Sequence, residues 1–180
     1  MQFCLEVGRA RIDLDNLVRP ALDALRDAGV FGRGFRDLDA LVAAKAAASP
    51  VGLGVMLMTA QETGSVRPLA GVLLTLEHGG LPRDGNRVAK VRWREAVAQA
   101  WPYAPLQGLP VVLDVRVSTS LSFKDLLKPI IDGLEPVLGR DPRGHLEFSP
   151  NDHLITGLRM LRSPGPPTLS MQLAPLGASD

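Results

Sequence analysis

The segment from Ile12 to Pro20, IDLDNLVRP, holds two aspartates and an arginine at spacings that suit chemistry on a phosphodiester. A strand running into Asp13 and Asp15 would place both carboxylates on one face, because side chains two apart in a strand point the same way. Two such carboxylates suit Mg²⁺, which prefers oxygen ligands and could polarise a phosphodiester oxygen and help to generate hydroxide. Arg19, one helical turn beyond Asp15, would set a fixed cation against the charge that develops on the phosphate.

The same residues also have a purely structural interpretation. Aspartate and asparagine are common caps and turn formers in front of a helix, and Asn16 is the expected cap of the helix that follows it. On residue type and spacing alone, the metal interpretation and the structural interpretation both stay open.

Hydrophobic periodicity predicts the elements that would position these residues. After Asn16 apolar residues recur at helical spacing up to Ala28, and Gly29 is placed to end the helix. The segments 88–101 and 124–138 show similar helical patterns. Period-two alternation predicts strands within residues 3–8, 51–58, 71–78, 111–118 and 169–173.

The helix after Asn16 is repeated later in the chain. Arg19 matches Lys128, and at the same constant offset Leu17 matches Leu126, Pro20 matches Pro129, Asp23 matches Asp132 and Leu25 matches Leu134. Each copy is preceded by one predicted strand and followed by a predicted strand pair, which indicates a doubled module.

The repeat divides the chain into a short first module, 1–60, and a fuller second module, 70–180. The second module has an additional predicted strand and helix in front of the shared part. The polar stretch 59–68 is the natural place for a connection, so that residues 61–69 are interpreted as a linker.

Bulk composition limits the classes of protein that fit. Apolar residues make up 46% of the chain, enough for a packed core, and the formal net charge of +1 means that any binding of nucleic acid must depend on a local patch. A single cysteine excludes an intrachain disulfide and suits a reducing compartment. The apolar runs are far shorter than the roughly 20 residues of a membrane helix, so we expect a cytoplasmic protein without membrane contact.

The run DLDNLVRPALDALRDAGVF, which begins at Asp13, resembles the signature of the RusA family of Holliday junction resolvases. That signature reads D-x-D-N-L-x-K-x-x-x-D-A-L, followed by a glycine turn and a later acidic pair. The resemblance implies a dimeric enzyme that cuts four-way DNA junctions, using Mg²⁺ (or Mn²⁺) held by three aspartates and assisted by the lysine of the signature. Asp13 and Asp15 would be the first two metal ligands, and Arg19 stands in the lysine position, where arginine is not an equivalent residue.

The resemblance leaves two choices for the third metal ligand. Asp39 fits the pattern, and Asp37 is the alternative. Either choice requires the segment 37–49 to be a strand, although its many alanines favour a helix. We interpret this segment as a strand.

The second copy resembles the family over more of its length but lacks the acidic pair at the start of the motif. Ser122 and Lys124 occupy the positions that Asp13 and Asp15 hold in the first copy. A serine and a lysine cannot hold Mg²⁺ as two carboxylates do. By this resemblance the second copy is catalytically inactive, so a monomer is expected to nick a junction without resolving it.

Two positions of the second copy keep the family's residue types. They are Lys128 and Asp152, while Asn151 replaces the other member of the acidic pair. Because the rest of that site is lost, Asp152→Asn is expected to affect cleavage little.

A row of basic residues opens the second predicted helix. Arg87, Lys90 and Arg94 lie on one helical face, and Arg83 precedes them. Together with Lys128 these residues are candidates for contacts with DNA phosphates. A solvated basic surface is the alternative interpretation.

These observations predict an α+β fold of two RusA-like half-modules, each of mixed strands with a long helix, packed against each other as a pseudo-dimer within one chain. The expected function is that of a Mg²⁺-dependent, structure-selective endonuclease, a hydrolase of DNA recombination and repair acting on branched DNA. A homodimer of the whole chain would restore two sites. The alternative is a RusA-like DNA-binding or structural protein whose two sites have both decayed.

Overall fold

Residues 2–5, 13–29, 38–45, 53–58 and 69–176 are described by the computed structural model of the chain. They form a mixed α+β arrangement, which confirms the expected fold class at that level. Within these ranges, no helix is both long and apolar enough to cross a membrane.

Seven strands within the described residues form one sheet. In chain order they are β1 (Gln2–Leu5), β2 (Ala40–Lys45), β3 (Leu53–Met58), β4 (Leu74–Gly79), β5 (Val111–Ser118), β6 (Ile155–Arg162) and β7 (Thr168–Pro175). Their spatial order is β1-β3-β2-β6-β5-β7-β4. The β5–β6 pair is parallel, and every other neighbouring pair is antiparallel.

The helices of the described part are α1 (Leu14–Asp27), α2 (Arg87–Ala100), α3 (Phe123–Asp132) and the short α4 (Glu135–Leu138). The helix predicted for 124–138 is therefore divided in two at Gly133. This glycine lies against the indole of Trp93, where an added Cβ would come within 2.1 Å of a ring carbon. Close packing between the helices therefore requires a glycine at this position.

The sheet is apolar on the face that packs against the helices. Val111, Leu113, Val115 and Val117 of β5 are all fully buried, whereas Arg116 between them is exposed on the other face. The core side chains of α1 and α3 complete this layer: Leu14, Val18, Leu22, Leu25, Phe123, Leu126, Leu127, Ile130 and Ile131.

The alanine-rich segment is a strand, as interpreted, and lies at the centre of the sheet. In β2, Leu41 and Ala43 are buried while Ala44 is exposed. Pairing with β3 on one side and β6 on the other satisfies its backbone and overrides the helical preference of alanine. Because β2 pairs with β6, the sheet is continuous across the two predicted modules. The linker stretch 59–68 lies outside the described residues, and the division into modules stays a prediction.

The start of α1 differs from the prediction in two respects. The helix begins at Leu14, so Asp15 lies in its first turn and not on a strand, and the N-cap is Asp13 and not Asn16. The Asn16 amide instead donates a hydrogen bond to Asp13, with 3.1 Å between Nδ2 and Oδ2. The other end is as predicted, since Gly29 follows the helix with a positive φ of 74°.

Candidate functional site

The first turn of α1 presents two carboxylates in different environments. Asp13 has the extended backbone of an N-cap, yet its side chain makes no capping hydrogen bond to the helix. Asp15 is fully buried, and within the described part of the chain neither of its carboxylate oxygens has a side-chain hydrogen-bond partner. Most buried polar groups are paired, so an orphaned buried carboxylate demands a specific explanation.

The second motif helix supplies the nearest cation to Asp15. Lys128 Nζ of α3 lies 3.8 Å from Asp15 Oδ2 and 3.0 Å from Asp132 Oδ1. Further along α1, Lys124 donates to Asp23. The residue numbers therefore rise along one helix as they fall along the other, which means that α1 and α3 lie antiparallel.

A third carboxylate reaches the same place from the turn before β6. Asp152 begins a short 3-10 helix, Asp152–Leu154. Burial, a hydrogen bond with Asp13, and the negative charges of Asp13 and Asp15 together raise the pKa of Asp152 to about 8, although the charge of Lys128 opposes the shift. Burial and neighbouring acids both favour the neutral form of a carboxyl group, and Asp152 is subject to both.

These groups form what we call the acid cluster: Asp13, Asp15, Lys128, Asp132 and Asp152. Burial raises the pKa of Asp15, and the positive charge of Lys128 offsets this only in part. Burial would lower the pKa of Lys128, but the surrounding carboxylates, Asp132 first, outweigh it and raise that pKa. The cluster therefore has more negative than positive charge.

The donor set of the acid cluster suits a hard divalent cation, because carboxylate oxygens are the ligands that Mg²⁺ and Mn²⁺ prefer. The orphaned oxygens of Asp15 are what such an ion would satisfy. In their present positions, however, no three or more acidic, histidine or cysteine side chains of the described residues are arranged to hold an ion. The fit therefore lies in the chemistry of the donors, and binding requires the carboxylates to close on the ion.

Two residues predicted for this site lie elsewhere. Arg19 acts on Asp23, whose pKa its positive charge helps to lower. Asp39 lies just before β2, where its backbone carbonyl accepts a hydrogen bond from Arg162 N at 2.8 Å. Asp39 is absent from the interactions of the cluster carboxylates, and Asp37 lies outside the described residues. A metal-binding role for Asp39 stays a prediction.

The predicted basic row is present on α2, but each of its three cations faces an acid. Arg87 forms two hydrogen bonds with Glu147, of 2.6 and 2.9 Å. Lys90 Nζ lies 3.1 Å from Asp132 and 3.2 Å from Asp84. The third cation, Arg94, donates to Glu135 at 2.8 Å, while Arg83 is exposed ahead of the helix. The row is thus largely neutralised, and its role in DNA contacts stays a prediction.

Sequence reasoning missed that Asp132 and Asp152 belong with Asp13 and Asp15. A signal was present: the first motif has the acidic pair but no lysine, and the second has Lys128 and Asp152 but no acidic pair. The two motifs complement each other, which two independently decaying copies need not do.

No protein-family model matches the chain, and no curated protein or solved structure was found to be similar to it. The functional argument therefore depends on the chemistry of the acid cluster.

Proposed function

We propose that this protein is a divalent-metal-dependent endonuclease that acts on branched DNA and resembles the RusA resolvases, with the acid cluster as its active site. The observation that carries the proposal is Asp15, a fully buried carboxylate without a side-chain hydrogen-bond partner among the described residues, beside the carboxylates of Asp13 and Asp152. Lys128 offsets the burial of this carboxylate only in part, and a cation bound between these groups would lower the remaining cost of a buried charge.

The complementary motifs support a pseudo-dimer with one composite site. Asp13 and Asp15 come from the first motif, and Lys128 and Asp152 from the second. The antiparallel packing of α1 and α3 and the antiparallel β2–β6 pair suit two related halves around a pseudo-twofold axis. The strand order departs from such an axis, because β3 lies between β1 and β2 in the first half whereas β5 lies between β6 and β7 in the second. In such an arrangement each active site takes residues from both halves.

The cluster suggests a division of roles among its residues. Asp13, Asp15 and Asp152 would hold Mg²⁺ or Mn²⁺, which when bound supplies polarisation of a phosphodiester oxygen and a lowered pKa of water. Lys128 would contact a phosphate oxygen and stabilise charge that develops there. Asp132 is a positioning residue, because its 3.0 Å contact fixes the Lys128 ammonium beside Asp15. Release of the Asp152 proton would accompany metal binding.

A second candidate function is that of a DNA-binding or structural relative without catalysis. It is favoured by the lack of a preformed metal arrangement among the described side chains. In that case Lys128 would serve only to offset the buried Asp15, and the orphaned carboxylate would be a remnant of a lost site.

Metal-dependent thermal stability tests the proposal directly. An ion that binds only the folded state at about 100 times its Kd stabilises by about 2.7 kcal/mol, or roughly 5–10 °C for a chain of this size. We expect Mg²⁺ or Mn²⁺ to raise the melting temperature of the wild type, and Asp13→Asn with Asp15→Asn to abolish the rise. The matched control is Asp27→Asn, an exposed carboxylate on the same helix, which should leave the rise intact.

Cleavage of a labelled synthetic four-way junction gives the second readout. The wild type should nick the junction in Mg²⁺, and the double variant should not. An unchanged metal response in a folded double variant would overturn the site. A folded wild type that neither responds to metal nor cuts any DNA shape would favour the non-catalytic candidate.

A further inference from the structure

The N-terminus of α3 lies at the other end of the helix pair, beside the middle of α1. Ser122 and Lys124 there correspond, by the offset of the repeat, to Asp13 and Asp15. Across from them are Arg19 and Asp23, which correspond in the same way to Lys128 and Asp132. We call Arg19, Asp23, Ser122 and Lys124 the basic counterpart of the acid cluster.

Three cations converge on one carboxylate at this place. Lys124 donates a hydrogen bond to Asp23, and Arg26 Nη1 lies 3.1 Å from the same carboxylate oxygen. The hydrogen bond from Lys124, followed by the charges of Lys124, Arg26 and Arg19, lowers the pKa of Asp23. Arg26 also forms an ion pair with Asp27, at 2.9 Å between Nη2 and Oδ1. The two cations near Asp23 that have no such second carboxylate are Arg19 and Lys124 within the described residues.

The two corresponding places have opposite charge. Asp13, Asp15 and Asp132 outnumber Lys128 in the acid cluster, whereas Arg19 and Lys124 outnumber Asp23 in the basic counterpart. Among the described residues, Asp152 adds a further carboxyl group to the acid cluster and has no equivalent in the basic counterpart. The exposed Asp125 beside Lys124 forms no ion pair with the counterpart's cations in the described part of the chain.

The cations of the basic counterpart are within reach of a ligand. The Lys124 side chain is 22% exposed, its partner Asp23 is 34% exposed, and Arg19 is half-buried. Such a partly exposed ion pair is weak, since water and salt screen it. A phosphate can replace the Asp23 carboxylate as the partner of Lys124 at little cost and contact Arg19 as well.

We propose that the basic counterpart binds a backbone phosphate of a second DNA strand. In an enzyme with two equal sites, the second site would lie here and would cut that strand. The choice of DNA as the ligand rests on the proposed function. The protein would then hold one strand through Arg19 and Lys124 while the acid cluster acts on the other. Asp23 keeps Lys124 paired when DNA is absent.

The salt dependence of DNA binding tests this inference. Binding of a fluorescent four-way junction is measured without Mg²⁺ over a series of salt concentrations. Each phosphate contact contributes about 0.9 to the slope of log K against log salt, so Arg19→Gln with Lys124→Gln should lower the slope by at least about 0.9. The matched control is Arg92→Gln with Arg116→Gln, which removes the same charge from exposed positions and should leave the slope near the wild-type value.

Asp23→Asn gives a test that misfolding cannot imitate, because its effect has the opposite sign. Removing the competing carboxylate should increase affinity by several-fold. The inference is overturned if the Arg19/Lys124 variant has the wild-type slope, or if Asp23→Asn leaves the affinity unchanged.

Failure of this inference is distinguishable from failure of the proposed function. If the wild type responds to metal and cuts DNA, but the Arg19/Lys124 variant has the wild-type salt slope, only the further inference is wrong. If the wild type neither responds to metal nor cuts DNA, but its DNA affinity still depends on Arg19 and Lys124, only the proposed catalysis is wrong.

Discussion

The N-termini of α1 and α3 belong to the two copies of the repeated motif, but their N-cap residues make different contacts. In α3 the hydroxyl of Ser122 caps the helix by accepting a hydrogen bond from Lys124 N at 3.1 Å. In α1 the N-cap is Asp13, whose carboxylate does not cap and instead interacts with Asn16 and Asp152. A true cap stabilises a helix by about 1 kcal/mol. At Asp13 the carboxylate is left available for another partner.

The first turns of α1 and α3 also differ in the charge of the corresponding residues Asp15 and Lys124. The positive end of a helix dipole favours a carboxylate such as Asp15 and disfavours a cation such as Lys124. Each end nevertheless has a compensating partner on the other helix, Lys128 for Asp15 and Asp23 for Lys124. The charged residue in the first turn of each helix is therefore paired with a side chain of the other helix, and under the proposed function one composite acidic site and one basic counterpart take the place of two equal sites.

The largest expected effect concerns the third acid of the composite site. Asp152→Asn should reduce junction cleavage by roughly 100-fold, the size of loss that follows removal of one key electrostatic contact. Asp39→Asn should leave cleavage near the wild-type rate, because Asp39 is not among the interactions of the acid cluster. This reverses the expectation from sequence, in which Asp152 was dispensable. Cleavage rates of both variants, with folding checked by circular dichroism, decide between the two assignments.

A smaller but distinctive effect is expected from making the two helix ends alike. Ser122→Asp with Lys124→Asp places an acidic pair at the start of α3, opposite Arg19 and Asp23. We expect calorimetric titration with Mn²⁺ to show a second bound ion per chain. Ser122→Asn with Lys124→Asn is the control of similar size without the carboxylates. A stoichiometry that stays at one ion in the folded acidic variant would contradict the pseudo-twofold relation.

The smallest expected effect is a pH dependence of stability that only the acidic end confers. Unfolded Asp152 loses its proton near the ordinary pKa of 3.8, whereas the folded protein keeps it to about pH 8. Between these values the folded state binds more protons, so metal-free stability should fall as pH rises, and this contribution should level off above pH 8.

Denaturant unfolding at several pH values between 5 and 8 measures this slope. Asp152→Asn should make the slope shallower, and the raised pKa of Asp15 should leave a residual slope in the same direction. Lys124→Gln, at the basic end, should not alter the slope. Identical slopes in the wild type and Asp152→Asn would show that the carboxyl group of Asp152 is ionised normally.

Local sequence determined much of the secondary structure. Strict alternation around Leu113 and Val115 encodes a strand with one buried face, because side chains two apart share a side of the sheet. Helical spacing and Gly29 fix the end of α1, since glycine readily adopts the positive φ that follows a helix. The start of α1 was less well determined, because Asp13 and Asn16 are both good caps and only the fold shows which one takes that position.

The sequence predicted a site of Asp13, Asp15, Arg19 and Asp39, and it showed Lys128 and Asp152 only as family residue types kept in the second copy. It did not determine that Lys128 and Asp152 meet the acidic pair of the first copy. That depends on the antiparallel packing of α1 against α3 and of β2 against β6, contacts between segments far apart in the chain. Periodicity reports which face of an element is buried but not which distant element covers it. Only the tertiary structure therefore decided that the acids of one motif share a cluster with the lysine of the other.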